Sequence, residues 1–398
     1  MSGGALSGIR VLDLGQYSAG PYAAILLADL GANVIKIEPA DGDPWRMMAG
    51  GFMGVNRGKR GTVIDLRKEE ARPIAYKLIS TCDMVVENSR PGTMEKIGMD
   101  YESVKKVNPD ILYISMPAFG SKGPDFQRPG YDPLFQAMSG QMSGQGGPGK
   151  TPVFHKISLN DEMGPMLGAF GASLALFNKL RTSQGQFVET SLLRSAITLQ
   201  SGNFIKYTGM KRKYLGKPDI KGLRATNRLY QGIDGGWLYV YCAKEAHWKS
   251  MCQVLGLTNL TTDTRFATPG TRKKHNKELT AILTEASYTT PSNVWALLLL
   301  MQGVPAAQGQ GIIDLLKTDP HCKKTGIFEF QDHPQWGRVQ LQGINAEFSD
   351  TPGKVQRPAP LLGQHTEEVL LEIGYSKEQI EDFKAKKLVI QAAVPQKQ

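Results

Sequence analysis

The sequence predicts an α/β protein built on a parallel β-sheet, and three observations carry that prediction. Gly8–Glu38, GIRVLDLGQYSAGPYAAILLADLGANVIKIE, sets two strand-like runs, RVLDL and NVIKIE, on either side of a stretch that suits a helix, which is the arithmetic of a right-handed βαβ unit. Short apolar runs then recur as GTVIDL (Gly61–Leu66), DMVVE (Asp83–Glu87) and ILYISM (Ile111–Met116), separated by helical segments such as Lys68–Thr81. Strands that alternate with helices belong in a parallel sheet covered on both faces. Finally, 398 residues with 41% hydrophobic content can bury a large core and divide into two or three lobes.

Taken in order, the first βαβ unit points to a nucleotide-type site in the loop after its first strand. That turn offers Gly15 and Gly20 without the GxGxxG spacing, and Glu38 only partly matches the ribose-binding acid, so a nicotinamide-dependent dehydrogenase is the lesser reading. Three cation-bearing loops follow: NRGKR at Asn56–Arg60, Arg67 with Lys68, and NSRPGTMEK at Asn88–Lys96. At the carboxyl ends of parallel strands, such cations can together meet phosphates, although each alone is more often just a surface charge. Gly120–Gly149 is glycine-laden and poor in regular pattern, which marks a functional loop or a crossing between lobes; it carries Tyr131 and Asp132.

The stretch Lys156–Leu193 holds the candidate chemical centre. Asn160 or Asp161 suits a helix N-cap, Met163–Leu180 supplies the helix, Thr182–Gly185 stops it, and Gln186–Leu193 runs extended into the next helix. An aspartate at a helix start is either a cap or, held ionised by the positive end of the dipole, an available nucleophile. Further on, Lys211–Arg224 reads as a solvated basic turn. Tyr230–Ala243 reads as a hairpin around Asp234-Gly235-Gly236. Helical segments are expected at Ala246–Leu255 and Lys277–Met301, with SNVWALLLLM (Ser292–Met301) as a buried helix too short to span a membrane. Helices Thr366–Ile373 and Lys377–Lys386 and a polar tail close the chain.

Composition narrows the function. A net charge of +10 with no basic tail suits polyanionic small molecules, and no interleaving of aromatic and basic residues argues for nucleic acid. The four cysteines, Cys82, Cys242, Cys252 and Cys322, lack CxxC spacing and suggest neither a metal site nor a disulfide framework. Reduced thiols, no signal-peptide pattern and no membrane-length apolar run lead to the expectation of a cytoplasmic protein.

Several segments together resemble the class III CoA-transferases, the CaiB/BaiF type. They are VLDLGQYSAGPYAAILLADLGANVIKIEPADGDPWR, VVENSRPGTMEKIGMDYESVKKVNPDILYISMPAFGSKGP, GYDPLFQAMSG, RTSQGQFVETSLL, GVPAAQGQGIIDLL, HPQWGRVQ and RPAPLLGQHTEEVLLEIGYS. The resemblance covers nearly the whole chain. It implies a Rossmann-like large lobe with a parallel sheet, discontinuous over 1–200 and 340–398, and a smaller α+β lobe over 225–330. It also implies a ring-shaped chain in an interlinked dimer, homodimeric or heterodimeric with a related chain.

The family's nucleophilic aspartate falls on Asp161. The resemblance implies CoA transfer from an acyl-CoA donor, succinyl-CoA among them, to a carboxylic acid, through mixed anhydrides and an aspartyl-CoA thioester. No permanently bound cofactor and no metal are implied; coenzyme A and acyl-CoA enter as substrates. Positions matching the family's CoA-binding residues are Tyr17, Ser18 and Ala19 after the first strand, Leu66 and Arg67 near the adenine and ribose, and Asn88, Ser89, Thr93 and Lys96. Tyr131 and Asp132 match the loop that faces the active site. Two departures, Ser18 where some members carry glutamine and a missing polyglycine loop ahead of Trp237, weigh against oxalate-type acceptors. Two alternatives remain. One is a catalytically silent, CoA-binding subunit of a heteromeric transferase. The other is a 2-methylacyl-CoA racemase, against which stands Tyr131 in place of that group's histidine.

Overall fold

Arg10–Asp13 (β1), Asn33–Glu38 (β2), Arg60–Ile64 (β3), Met84–Glu87 (β4), Leu112–Ser115 (β5) and Gln186–Glu189 (β6) form one sheet in a computed structural model of the chain, which describes residues 3–147, 149–210, 220–311 and 319–392. The six strands run parallel, in the spatial order β3-β2-β1-β4-β5-β6. A C-terminal strand, Val389–Ile390, adds antiparallel to β3. Strand order reverses between β1 and β4, so the loops leaving these two strands diverge and open a crevice at their carboxyl ends.

Alternation along the strands divides the core into two layers. Val11, Val34, Met84, Val86 and Ile114 face the helix Ala19–Asp29 and the long helix Leu159–Thr182. Leu12, Ile35, Val85 and Tyr113 face the opposite layer, with Ile74 and Leu78 of the helix Arg72–Ile79 and Val369 and Leu370 of the helix Thr366–Glu372. Burying both faces explains why the strands read as continuous apolar runs.

Among the described residues, contacts divide the chain into two compact units. One takes residues up to 142, 154–210 and from 321 onward; the other takes 143–153 and 220–320. The expected lobes differ from these units at their edges, since 321–330 go with the first unit and 143–153 with the second. The first unit also carries the antiparallel pair Phe328–His333 and Gly337–Gln342. The second unit is built on an antiparallel sheet of Gly222–Arg224 (β7), Asn227–Gln231 (β8), Trp237–Tyr241 (β9) and Ala306–Gln308 (β10), ordered β10-β9-β8-β7. The hairpin at Asp234-Gly235-Gly236 joins β8 to β9. Trp248, Phe266, Leu283 and Leu299 fill the core beneath this sheet.

Several expectations change. The glycine-laden stretch 120–149 contains two helices, Asp132–Met138 and Gln141–Gly146. Pro133 in the first turn suits the start of the former, a signal the glycine count masked. The long helix starts at Leu159 with Ser158 as N-cap, so neither Asn160 nor Asp161 is the cap; it ends at Ser183 in the left-handed conformation. Ser292–Met301 is half-buried: Trp295 and Leu299 enter the core, while Leu297, Leu300 and Met301 are exposed. No helix among the described residues is long and apolar enough to cross a membrane. The basic turn 211–224 lies outside the described residues at 211–219, as do 312–316 of the segment GVPAAQGQGIIDLL and the tail beyond 392.

Candidate active site

The loop after β1 is held from below by buried charge. Asp13, fully buried at the end of β1, accepts from the Gly15 N–H at 2.8 Å and from Lys59 Nζ at 2.6 Å. Lys36 Nζ donates to the Gly15 carbonyl at 2.6 Å and lies 3.0 Å from the Asp43 carboxylate, which accepts from the Tyr17 N–H at 3.2 Å. Burial opposes ionisation of Asp13, but Lys36 and Lys59 outweigh it and its carboxyl sits below the ordinary value. Burial likewise pushes the Lys36 ammonium down, and Asp13, Asp43 and Glu38 more than reverse it. Four interlocked charges therefore fix the loop.

That loop is tight. Tyr17 adopts φ +60°, a conformation L-residues rarely take. Across the crevice, the Asn88 side chain accepts from the Gln16 N–H at 3.0 Å and donates to the Gln16 carbonyl at 2.9 Å, tying the loop after β4 to the loop after β1. The tie needs glycine at position 20, where a Cβ would sit 2.8 Å from Asn88 Oδ1. Behind Tyr17 begins the helix Ala19–Asp29, with Ser18 as an N-cap whose side chain makes no capping bond.

The long helix brings Asp161 to this crevice in its first turn. Small residues let the helix lie close to the sheet, since a Cβ on Gly168 would come 2.4 Å from the Met116 sulfur. Its start is capped from outside the helix: buried Asp132 accepts from the N–H groups of Asn160 at 2.5 Å and Asp161 at 3.1 Å. Gln136 holds the other Asp132 oxygen and also donates to the His155 carbonyl at 3.2 Å. Pro165 has no N–H to return to the Asp161 carbonyl one turn back, so the helix is locally open behind the aspartate.

This arrangement reverses the expected electrostatics of Asp161. Helix-start reasoning holds the carboxyl ionised and low. Instead burial first, then the charges of Asp132 and Glu162, push it up to about 7. Asp132 already occupies the N–H groups that would otherwise stabilise the Asp161 carboxylate. What the site offers is a desolvated carboxylate that ionises near neutrality.

Tyr17, Ser18, Ala19, Asn88, Ser89, Thr93, Tyr131 and Asp161 all line one cleft of about 1170 Å³. Leu66 and Arg67 line an adjoining cleft of about 850 Å³, and Ser89 and Thr93 are common to both walls. Two expected residues lie elsewhere. Lys96 is exposed at the end of the short helix Thr93–Lys96 and lines neither cleft, and Asp132 is buried behind the cleft wall as a cap. Three of the expected phosphate-binding cations are also committed internally: Arg57 to Asp29 at 2.6 Å, Lys59 to Asp13, and Arg60 to Glu368 at 2.8 Å. Glu38, the suggested ribose acid, instead accepts from Arg46 at 2.6 Å and 2.7 Å.

Sequence reasoning missed Trp45 and Arg90 as individual lining residues. Arg90 sits in the NSRPG turn already marked as cationic, and among the described residues its guanidinium has no acid partner. Tyr17 and Tyr131 meet edge to face across the cleft, with centroids 6.5 Å apart.

Comparison with known proteins agrees with the fold. The profile of CoA-transferase family III matches residues 6–366. The succinyl-CoA–D-citramalate CoA-transferase of Chloroflexus aurantiacus is 31% identical, over 96% of this chain and 98% of its own. The human succinyl-CoA:glutarate CoA-transferase is 31% identical, over 92% of this chain and 86% of its own. Among solved structures, a CaiB/BaiF family protein from Brucella suis superposes with a TM-score of 0.85 at 29% identity, covering 93% of this chain and all of that one. The chain belongs to CoA-transferase family III.

Proposed function

We propose that this CoA-transferase uses Asp161 as its nucleophile and moves CoA from succinyl-CoA to a small carboxylic acid, a dicarboxylate in the first instance. The observation that carries this reading is the desolvated Asp161 carboxylate, among the described residues the one acid lining the cleft that it shares with Ser18 and Ala19 at a helix start and with Arg90. The relatives' use of succinyl-CoA with citramalate and glutarate supports the donor and the acceptor class. CoA would lie along the joined clefts, with its adenosine end by Leu66 and Arg67 and its thioester by Asp161. Arg90 and the N–H groups at Ser18–Ala19 would meet phosphate or carboxylate oxygens.

In the proposed sequence, Asp161 attacks the donor thioester carbonyl; the C–S bond breaks, leaving a mixed anhydride and CoA thiolate. The thiolate attacks the aspartyl carbonyl, expelling the donor acid and leaving an aspartyl-CoA thioester. The acceptor carboxylate attacks that thioester, and the returning thiolate takes the acceptor acyl group, restoring Asp161. No step needs an external proton, and each intermediate stays activated so long as water is excluded. A racemase reading gains no support, because among the described residues none lining the cleft is a histidine.

A dimer, with an identical or a related chain, is part of the proposal. The long helix exposes Met166, Phe170, Leu174, Phe177 and Leu180, a stripe at helical spacing along one face.

The test is intact-protein mass spectrometry after incubation with succinyl-CoA and trapping with hydroxylamine or borohydride. An adduct mapped to Asp161 and absent from Asp161→Ala is the expected result. An adduct elsewhere, or full turnover by Asp161→Ala, would overturn the assignment.

A further inference from the structure

The helix Asp132–Met138 holds the start of the long helix through side chains that line neither cleft. Asp132 and Gln136 lie one turn apart on the same face, and both are 1% exposed. Every polar atom of the Gln136 amide is engaged. Its nitrogen donates to Asp132 Oδ1 and to the carbonyls of His155 at 3.2 Å and Ile157 at 3.4 Å, while its oxygen accepts from the His155 N–H at 3.1 Å. Only the NH2 end can meet a carboxylate and two carbonyls, so the orientation of the amide is fixed. One side chain thus clamps the segment that enters the long helix and turns the Asp132 carboxylate.

The consequence appears at the other oxygen of Asp132. With Oδ1 taken by Gln136, Oδ2 faces the N–H groups of Asn160 and Asp161. Among the described residues Asp132 has no cation partner, so N–H donors from Gln136, Asn160 and Asp161 hold a buried charge. A carboxylate out of water depends on such donors to stay ionised. The same turn is fixed from a second side, where fully buried Asn160 pairs its side-chain amide with that of Gln141 at 3.0 Å and 3.3 Å.

We propose that Gln136 is a positioning residue for CoA transfer: its amide orients the Asp132 carboxylate and keeps it charged, and Asp132 in turn sets where the Asp161 carboxyl sits and which charge faces it. Its place in the reaction rests on Asp161 being the nucleophile, whereas its hold on Asp161 does not. The charged groups that act on Asp161 are Asp132 from this helix and Glu162 from its own. Arg90 from the loop after β4, Tyr17 from the loop after β1 and Tyr131 share its cleft, and the clamped segment brings His155 beside Gln136. Without the Gln136 donor, Asp132 is a buried anion short of one partner, which a proton neutralises. Its push on Asp161 is then lost, and the Asp161 carboxyl ionises at lower pH.

The test is a pH titration, by nuclear magnetic resonance, of the full chain labelled with 13C at its aspartate carboxyls, the Asp161 signal being assigned by its loss in Asp161→Asn. In Gln136→Met, which keeps the volume and removes the donor, the Asp161 midpoint should fall from about 7 towards that of Asp132→Asn. The double variant Asp132→Asn/Gln136→Met should titrate as Asp132→Asn does, because the second change acts only through the first. Gln136→Asn, whose amide is one methylene short of Asp132, should move the midpoint the same way and serves if Gln136→Met does not fold. In turnover, kcat should fall about tenfold or more while the KM for succinyl-CoA barely changes, since Gln136 misplaces the carboxyl without touching substrate. A merely structural amide would lower the melting temperature and leave the titration in place. An unmoved midpoint in a folded variant, or a double variant that moves further than Asp132→Asn, would overturn the proposal. Absence of an Asp161 adduct from the parent chain would overturn the nucleophile and with it the place of Gln136 in the reaction; the titration decides the link from Gln136 to Asp161 by itself.

Discussion

At the scale of the residue, the proposed role of Asp161 sets how activity should depend on pH. Only its ionised form is a nucleophile, and in the free protein burial, Asp132 and Glu162 raise it to about 7. The kcat/KM profile should therefore climb with pH and level off above about 7, rather than above the ordinary carboxylate range. Removing the Asp132 charge removes one upward push, so Asp132→Asn should move that limb to lower pH while its oxygen can still accept from the Asn160 and Asp161 N–H groups. A limb that stays fixed in Asp132→Asn would mean that burial and Glu162, without Asp132, set the ionisation of Asp161. Asp161→Ala should lose on the order of 10³-fold or more in kcat. The sequence singled out Asp161 through the family resemblance, and the fold sets it on the cleft wall, but the direction of its shift was not legible. The helix-start argument counted the dipole and could not see a carboxylate 29 positions earlier in the chain, already seated on the same N–H groups.

At the scale of the element, the loops after β1 and β4 depend on charges that the sequence made to look external. NRGKR reads as a phosphate-binding run, yet Arg57, Lys59 and Arg60 turn inward because acids from distant segments, Asp29, Asp13 and Glu372, wait for them in the fold. Charge pattern along a chain does not encode such pairings. Lys59→Met should cost about 3–5 kcal/mol, because it strands Asp13 as a buried charge with only Lys36 nearby, at 3.8 Å. Chemical denaturation at neutral pH measures it. Glu87, buried at the end of β4, behaves oppositely. Burial pushes its carboxyl up to about 7 in the folded chain, so the native state holds its proton more tightly than the unfolded state. Stability from this group is present below its unfolded value near 4.5 and is lost as pH rises to about 7. Glu87→Gln removes that penalty and still leaves an oxygen to accept from the Ser89 N–H. It should stabilise the protein by roughly 3 kcal/mol at pH 8 and very little at pH 4, read as a pH-dependent change in denaturation midpoint.

At the scale of the whole molecule, the α/β class and the first βαβ unit were legible because strands buried on both faces must be apolar throughout. The position of the crevice followed less directly, since it depends on β4 lying beside β1, a pairing no local pattern announces. The long helix presents a further contrast that local reading did not reach. Its inner face is made of Gly164, Gly168, Ala172 and Ala175, buried close to the sheet, while its outer face bears Phe170 at 63% and Leu180 at 76% exposure. A helix that served only to cover a sheet would carry polar residues on that outer face. The stripe is continuous over four turns, so a protein surface, in the proposed dimer a second chain, is the natural cover for it. Phe170→Glu combined with Phe177→Glu should therefore shift sedimentation velocity from a dimer to a monomer, because two buried charges without partners cost more than such an interface recovers. Far-ultraviolet dichroism should stay unchanged, since both side chains point away from the core of their own chain. If the double variant sediments as the parent does, this face is not the contact, and the oligomer must be held elsewhere.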